Sequence, residues 1–253
     1  MKYDVISSGS KGNATLVFSK GQVILLDFGI SKRRIEKVLK DYGFDFDSLS
    51  AVFITHNHSD HVSNAFNVSK EKLFASTRTL PKIEYVIEGS HLLVPFEKVQ
   101  VGCFTLTPLP ISHDAPNPVA FLVEDGEESL VYRTDTGFVP EKDFPYLVGK
   151  TYYIFESNHD PKRLFESKRP DYLIRRITSD KGHLANCDAG YYLSLFVGES
   201  TKDVVLAHLS DECNTPDIAL ETVKSVLLRQ LGYVPECRIV CANDRTETKG
   251  GNE

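Results

Sequence analysis

Seven residues of the kinds that bind divalent metals recur at telling positions along this 253-residue chain. The stretch Thr55-His56-Asn57-His58-Ser59-Asp60-His61 packs three histidines and one aspartate into six residues. Imidazole nitrogens and carboxylate oxygens suit zinc, and also manganese or iron. The apolar run Ala51 to Thr55 reads as a buried strand, so the cluster falls in the loop that follows it. There His56 and His58 point to one side, while Asp60 and His61 open the next helix. Six residues hardly saturate two ions, so further ligands are expected elsewhere. His113 follows Leu109-Pro110-Ile111-Ser112, Asp135 follows Val131-Tyr132-Arg133-Thr134, and His208 follows Val205-Leu206-Ala207. Each stands just past a strand-like run, at a sheet edge where a site forms. The chemistry of such a set is hydrolysis by a metal-activated water. A lone histidine is usually a core or surface residue, and His91 is read that way; packing alone does not account for the cluster.

The elements that must position these residues alternate between strand and helix. Ala14 to Phe18 and Gln22 to Asp27 form a hairpin around Ser19-Lys20-Gly21. Ser31 caps a helix whose Ile35, Val38, Leu39 and Tyr42 share a face. Further strand-like runs lie at Leu92 to Pro95, Phe104 to Leu106, Val119 to Val123, Leu130 to Tyr132, Tyr152 to Phe155, Val204 to Ala207 and Ile239 to Ala242. Ile218 to Leu231, after Pro216, is an amphipathic helix. This pattern predicts layered α and β structure in one domain, residues 1–243. Residues 157 to 185 are more charged and are expected to form an insertion or lobe. Residues 244–253, glycine-containing and poor in apolar side chains, are expected to be a flexible tail.

Bulk composition is ordinary, at 41% hydrophobic and 25% charged residues. A net charge of -6 excludes a chain that is a polyanion binder over its whole surface, though not a local basic face. Five cysteines without a close CxxC pair read as reduced thiols. No secretory signal and no apolar run of membrane-spanning length are evident, so a cytoplasmic protein without a membrane partner is expected.

His56-x-His58-x-Asp60-His61, followed by His113, Asp135 and His208, resembles the five-motif signature of the metallo-β-lactamase fold. Asp27, ending the run Val23-Ile24-Leu25-Leu26, looks like that family's first motif. The resemblance implies an α/β fold, a four-layer αββα sandwich, with two divalent metal ions, zinc or manganese or iron. It implies that His56, His58 and His113 hold one ion, that Asp60, His61 and His208 hold the second, and that Asp135 bridges them. Asp27 would support the histidine loop from behind the ligands.

Other segments are similar to the YycJ/WalJ-type branch, a bacterial group described as exonucleases acting on double-stranded DNA. They are SSGSKGN, THNHSDH, SHDAPNPVAF, TDTG, ESNHD, GHLAN and AHLSDECN. Ala185 and Cys213 depart from the pattern expected of that branch, without removing a proposed ligand. The order Glu156, His183, His208 also resembles RNase Z, in which a glutamate and a histidine protonate the leaving oxygen. Carried over, Glu156 orients His183, and His183 is the general acid. The bland alternative gives Glu156 an ordinary hydrogen bond and makes His183 a turn cap.

Residues 160 to 182 hold seven basic and four acidic side chains in an acidic protein. A charge run is usually a solvated face, but arginine and lysine are also what grips a nucleic-acid backbone. The reading that follows is a metal-dependent phosphodiester hydrolase, a DNA exonuclease. Asp60, Glu156 and His183 would be catalytic, with a metal-bridging hydroxide as nucleophile. Ser10, Asn13, Arg175, Arg176 and Asn186 would contact a nucleic-acid substrate. The competing readings are a small-molecule hydrolase (a cyclic-phosphate diesterase, lactonase or thioesterase), an RNase Z-like RNA hydrolase, and a fold that has lost catalysis and binds partners.

Overall fold

The computed structural model describes residues 1–76, 79 and 91–252. The chain divides into two compact units. Unit 1 comprises Met1–Pro110, Ala115–Glu127 and Asn243–Glu253, and unit 2 comprises Ile111–Asp114 and Glu128–Ala242.

Unit 1 begins with β1 (Lys2–Ser7), β2 (Ala14–Ser19) and β3 (Gln22–Leu26), an antiparallel set. The β2–β3 hairpin closes on Lys20 and Gly21, both at positive φ (47° and 73°). That is the backbone a two-residue hairpin loop needs to follow the twist of its strands. Helix α1 (Lys32–Asp41) then crosses to β4 (Leu49–Phe53), which pairs parallel with β3. The predicted face is the buried one: Ile35, Val38 and Leu39 pack with Leu16, Val23, Leu25 and Val52 in one core. Ser31 occupies the cap position, but its side chain makes no cap hydrogen bond. A single-turn helix, α2 (Ser59–Val62), follows β4, and β5 (Leu73–Ser76) and β6 (His91–Leu93) extend the sheet in parallel. His91 stacks on Phe74, as a surface residue. The strands β7 (Val99–Val101), β8 (Phe104–Pro110) and β9 (Val119–Glu124) form an antiparallel meander.

Unit 2 is built on four parallel strands: β10 (Ser129–Arg133), β11 (Tyr152–Glu156), β12 (Asp203–Ala207) and β13 (Arg238–Cys241). All of β10, β11 and β12 is buried save the first residue, Ser129, the pattern of strands covered on both faces. A short helix, α3 (Phe144–Leu147), follows β10. Between β11 and β12 lie α4 (Pro161–Phe165), α5 (Asp171–Ile177) and α6 (Asn186–Phe196). Helix α7 (Pro216–Leu231) starts where Thr215 accepts the Ile218 N–H at 3.3 Å and stops at left-handed Gly232. Gly190 lets α6 approach α7 closely, since a Cβ there would lie 2.8 Å from that of Val226. The charged lobe expected at 157–185 consists of α4 and α5 with a small core of its own. Leu164, Ile177 and Cys213 form it, with Leu173 and Ile174 against them. Cys213 is therefore apolar filling.

One expectation fails. Residues 248–251, read as part of a flexible tail, form β14 (Thr248–Gly251), antiparallel to β1. Backbone pairing needs no apolar side chains, and without β14 the edge of β1 would present unpaired N–H and C=O groups. Gly251 is required there, because a Cβ would lie 2.3 Å from the Met1 carbonyl oxygen. Glu253, the last residue of the expected tail, lies outside the described residues. Among the described residues, no helix is long and apolar enough to cross a membrane.

Candidate metal centre and acid–base pair

In unit 1 the histidine loop starts where β4 ends, as the apolar run predicts. His56 and His61 are fully buried, with ring centroids 4.1 Å apart, and the rings of His56 and His58 are 4.7 Å apart. Asp27, at the end of β3, sits beneath this loop. It receives the Thr55 N–H at 2.9 Å and lies 2.7 Å from His61 Nδ1. That contact fixes the His61 ring through Nδ1 and sets Nε2 3.4 Å from Asp60 Oδ2. Thr55 Oγ1 adds contacts to both Asp27 oxygens and to His56 Nδ1.

Asn13, expected to contact substrate, does something else. It is buried, and its backbone N–H donates to the Asp60 carbonyl at 2.7 Å. Its side-chain nitrogen lies 3.3 Å from Asp60 Oδ2 and 3.0 Å from His61 Nε2. The loop of residues 9–13 thus braces the ligand loop. Gly29 joins the same knot, donating to the Asn13 carbonyl. A Cβ on Gly29 would lie 1.6 Å from the Asp60 carbonyl oxygen, so only glycine fits. Ser10 is exposed at the tip of this loop.

In unit 2 the parallel register places Arg133, Phe155 and Leu206 side by side, and the site residues lie just past them. Open α/β sheets build their sites at these carboxyl ends. One ligand atom each from Asp135, Glu156, His183 and His208 falls within 4.8 Å of the other three. Asp135 and His208 hold left-handed backbone (φ 56° and 57°), as does Asp27 in unit 1 (φ 60°). Such conformations cost about 1–3 kcal/mol each and concentrate at functional sites. His113, also buried, lies 3.9 Å from Asp135 and has its ring 5.3 Å from that of His183. Burial pushes its ring below the ordinary imidazole range, against the pull of Asp135.

Glu156 is the hub. Its Oε2 accepts the backbone N–H groups of Thr136 at 2.8 Å and Leu184 at 3.2 Å. Its Oε1 lies 2.8 Å from His183 Nδ1 and 3.0 Å from His208 Nδ1. Burial alone would raise this carboxyl. The charge and hydrogen bond of His183, with the hydrogen bond of His208, outweigh burial and hold it at about 2. An ionised carboxylate has no proton to donate, so both imidazoles donate through Nδ1, which leaves each Nε2 for another role. The His183 side chain is 16% exposed.

The remaining expected residues divide. Arg176 is exposed and tied to Asp114 at 2.5 Å, whereas Arg175 is exposed without an ion pair among the described residues. Asn186 is fully buried and is not placed to grip substrate. Its Oδ1 accepts Ser157 Oγ at 2.7 Å and Asn214 at 2.9 Å. Asn214 also donates to the carbonyls of Ser157 and Asn158, and Asn158 donates to the His208 carbonyl at 2.7 Å. Sequence reading missed this amide network and Thr55, although their segments, ESNHD, GHLAN, AHLSDECN and THNHSDH, stood out. His159 is buried, and burial pushes its ring down to about 4.

The model of the metallo-beta-lactamase superfamily matches residues 8–174. The chain belongs to the metallo-β-lactamase superfamily. It is 30% identical over 258 residues to exodeoxyribonuclease WalJ of Streptococcus pneumoniae, covering 98% of this chain and 96% of the relative. It is 28% identical over 235 residues to exodeoxyribonuclease YycJ of Bacillus anthracis, covering 90% and 89%. Among solved structures, the metallo-beta-lactamase fold protein YhfI of Bacillus subtilis superposes with a TM-score of 0.69 at 17% identity, covering 98% and 99%. The fold is therefore the metallo-β-lactamase fold, and the protein is a metal-dependent hydrolase. That fold implies divalent metal ions, and the imidazole and carboxylate donors gathered in each unit suit them.

Proposed function

We propose that this metallo-β-lactamase-fold hydrolase is an exonuclease that cleaves DNA phosphodiesters with His183 as general acid. The observation that carries the reading is the Glu156–His183 pair. A buried, ionised carboxylate is locked by two backbone N–H groups and holds Nδ1 of an imidazole whose side chain is 16% exposed. Phosphodiester hydrolysis expels an alkoxide, a poor leaving group that needs a proton. The imidazolium supplies it from Nε2, an effect worth typically about 10²–10⁴-fold. A thioester, which expels a thiolate already stable near neutral pH, places no such demand on an acid. The names of the relatives, both exodeoxyribonucleases, support the same substrate class.

The ligand scheme remains the one the motif order implies: His56, His58 and His113 for one ion, Asp60, His61 and His208 for the other, and Asp135 shared. When bound, the two ions supply a hydroxide nucleophile at neutral pH and stabilise charge on the phosphoryl oxygens. Asp27 and Asn13 keep His61 and Asp60 oriented, and Glu156 keeps His208 and His183 oriented. Arg175 is placed to meet a neighbouring phosphate.

The test is incubation of the purified protein with end-labelled double-stranded DNA, single-stranded DNA and RNA, with Mn²⁺ and separately with Zn²⁺. A ladder of DNA shortened from one end, absent with Asp60→Ala, is expected. Intact polymers in every lane, with turnover of a cyclic phosphate or thioester, would overturn the reading.

A further inference from the structure

The α4–α5 lobe of unit 2 has a surface that the metal centre does not use. Its core residues Leu164, Leu173, Ile174 and Ile177 face inward, and their neighbours Phe165 and Tyr172 face out, 66% and 74% exposed. A six-residue link separates the two rings and contains Lys168 and Arg169. Arg169 is paired with Glu212 and Arg176 with Asp114, but Lys162, Arg163, Lys168, Arg175 and Lys181 are exposed and carry no ion-pair partner among the described residues. The lobe thus sets two of the most exposed rings of the described chain beside five unpaired cations, in a segment with a basic excess of three within a protein of net charge -6.

The lobe is also fastened to the acid. The Ile177 carbonyl accepts the His183 N–H at 2.9 Å. A Cβ on Gly182 would lie 2.0 Å from that same carbonyl oxygen, so the turn into His183 closes without clearance. The turn after Asp135 presses on the lobe from the other side, where a Cβ on Gly137 would lie 2.2 Å from the Asp180 carbonyl oxygen. A strand held on this lobe is therefore held in fixed relation to His183.

We propose that the α4–α5 lobe is a stacking and phosphate-tracking surface for an unpaired nucleic-acid strand. Phe165 and Tyr172 stack bases, and Lys168, Arg175 and Lys181 follow the phosphates. Both faces of an interior base are already stacked within a duplex, and a blunt end offers one outer face, so exposed rings gain most contact along an unpaired strand. The lobe thus takes up a strand where it leaves the duplex at a frayed end. This inference rests on the nuclease reading of the site and specifies the strand state of its substrate.

The test uses the full-length, metal-loaded protein and fluorescence anisotropy. The probes are nuclease-resistant phosphorothioate 20-mers: single-stranded oligothymidine, an abasic strand with the same backbone, and a blunt duplex. The wild type should bind oligothymidine more tightly than the abasic strand, by about tenfold for each stacked base. Phe165→Ala/Tyr172→Ala should lose that preference while keeping its melting temperature, since both side chains are exposed. Lys168→Ala/Lys181→Ala should weaken both single strands equally and flatten the salt dependence, by about 0.7 in log–log slope per lost contact. Equal wild-type affinity for the oligothymidine and abasic strands would overturn the proposal. So would an unchanged preference in the aromatic variant, or a change in that variant confined to self-association. Shortening of ordinary DNA by the wild type is scored separately, so a failed lobe and a failed nuclease reading are told apart.

Discussion

Glu156 Oε1 lies 2.8 Å from Nδ1 of His183, and every other acceptor position of that carboxylate is also occupied. A glutamine of the same size offers one acceptor oxygen where four donors converge. Its NH₂ must face either the Thr136 and Leu184 amides or the two imidazoles. Glu156→Gln should therefore lose about 1–3 kcal/mol of stability for each buried donor left unpaired. Its kcat should fall with the His183 ring no longer held. A chemical-denaturation curve and a kcat–pH profile read the two effects. Unchanged stability would contradict the hub role.

The same physics explains how much of this was legible in sequence. His56, His58, Asp60 and His61 crowd into one short loop, and Asp27, His113, Asp135 and His208 each punctuate an apolar run. Local spacing therefore revealed them. Asn13 was misread because a Ser- and Gly-rich turn looks the same whether its polar groups face a phosphate or another loop. Its partners, Asp60 and His61, stand 47 and 48 residues away. Asn186 was misread for the same reason, its partners being Ser157 and Asn214. Strand β14 was invisible because its pairing with β1 uses backbone groups, and Thr248–Gly251 carries no apolar signal.

The knot of Asn13, Gly29 and Asp60 predicts metal phenotypes from residues that ligate nothing. Asn13→Ala removes the side-chain contact to Asp60, and Gly29→Ala forces the Asp60 backbone to move. Each should lower metal affinity about 10–100-fold, the usual effect of losing an outer support. Competition against a chromogenic chelator measures it. Wild-type affinity in both variants would show that the loop of residues 9–13 is not a brace.

Asp4 provides a pH signature remote from the metal centre. It is fully buried on β1, where it accepts the Tyr42 hydroxyl at 3.1 Å and faces Lys249 at 3.7 Å. Burial, reinforced by Glu247, raises its carboxyl from 3.8 to about 6, against the opposing pull of Tyr42 and Lys249. The folded state then binds a proton that the unfolded chain releases. Stability attributable to this group is present below pH 4, falls as pH rises toward 6, and stays lost above. Asp4→Asn should raise the melting temperature at pH 7.5, by up to about 3 kcal/mol in stability, and flatten the slope between pH 4 and 6. Calorimetry across that range decides it, and a lower melting temperature at pH 7.5 would contradict it.

The central claim is that His183 protonates the leaving oxygen, and leaving-group dependence tests it most directly. Wild type and His183→Ala would be compared under single turnover on two thymidine 5′-phosphodiesters. One expels p-nitrophenolate, which needs no proton, and the other expels a deoxyribose hydroxyl. The account predicts a loss of about 10²–10⁴-fold on the nucleoside ester, little loss on the nitrophenyl ester, and unchanged metal content in the variant. Equal losses on both esters, or loss of metal from the variant, would contradict the general-acid role of His183.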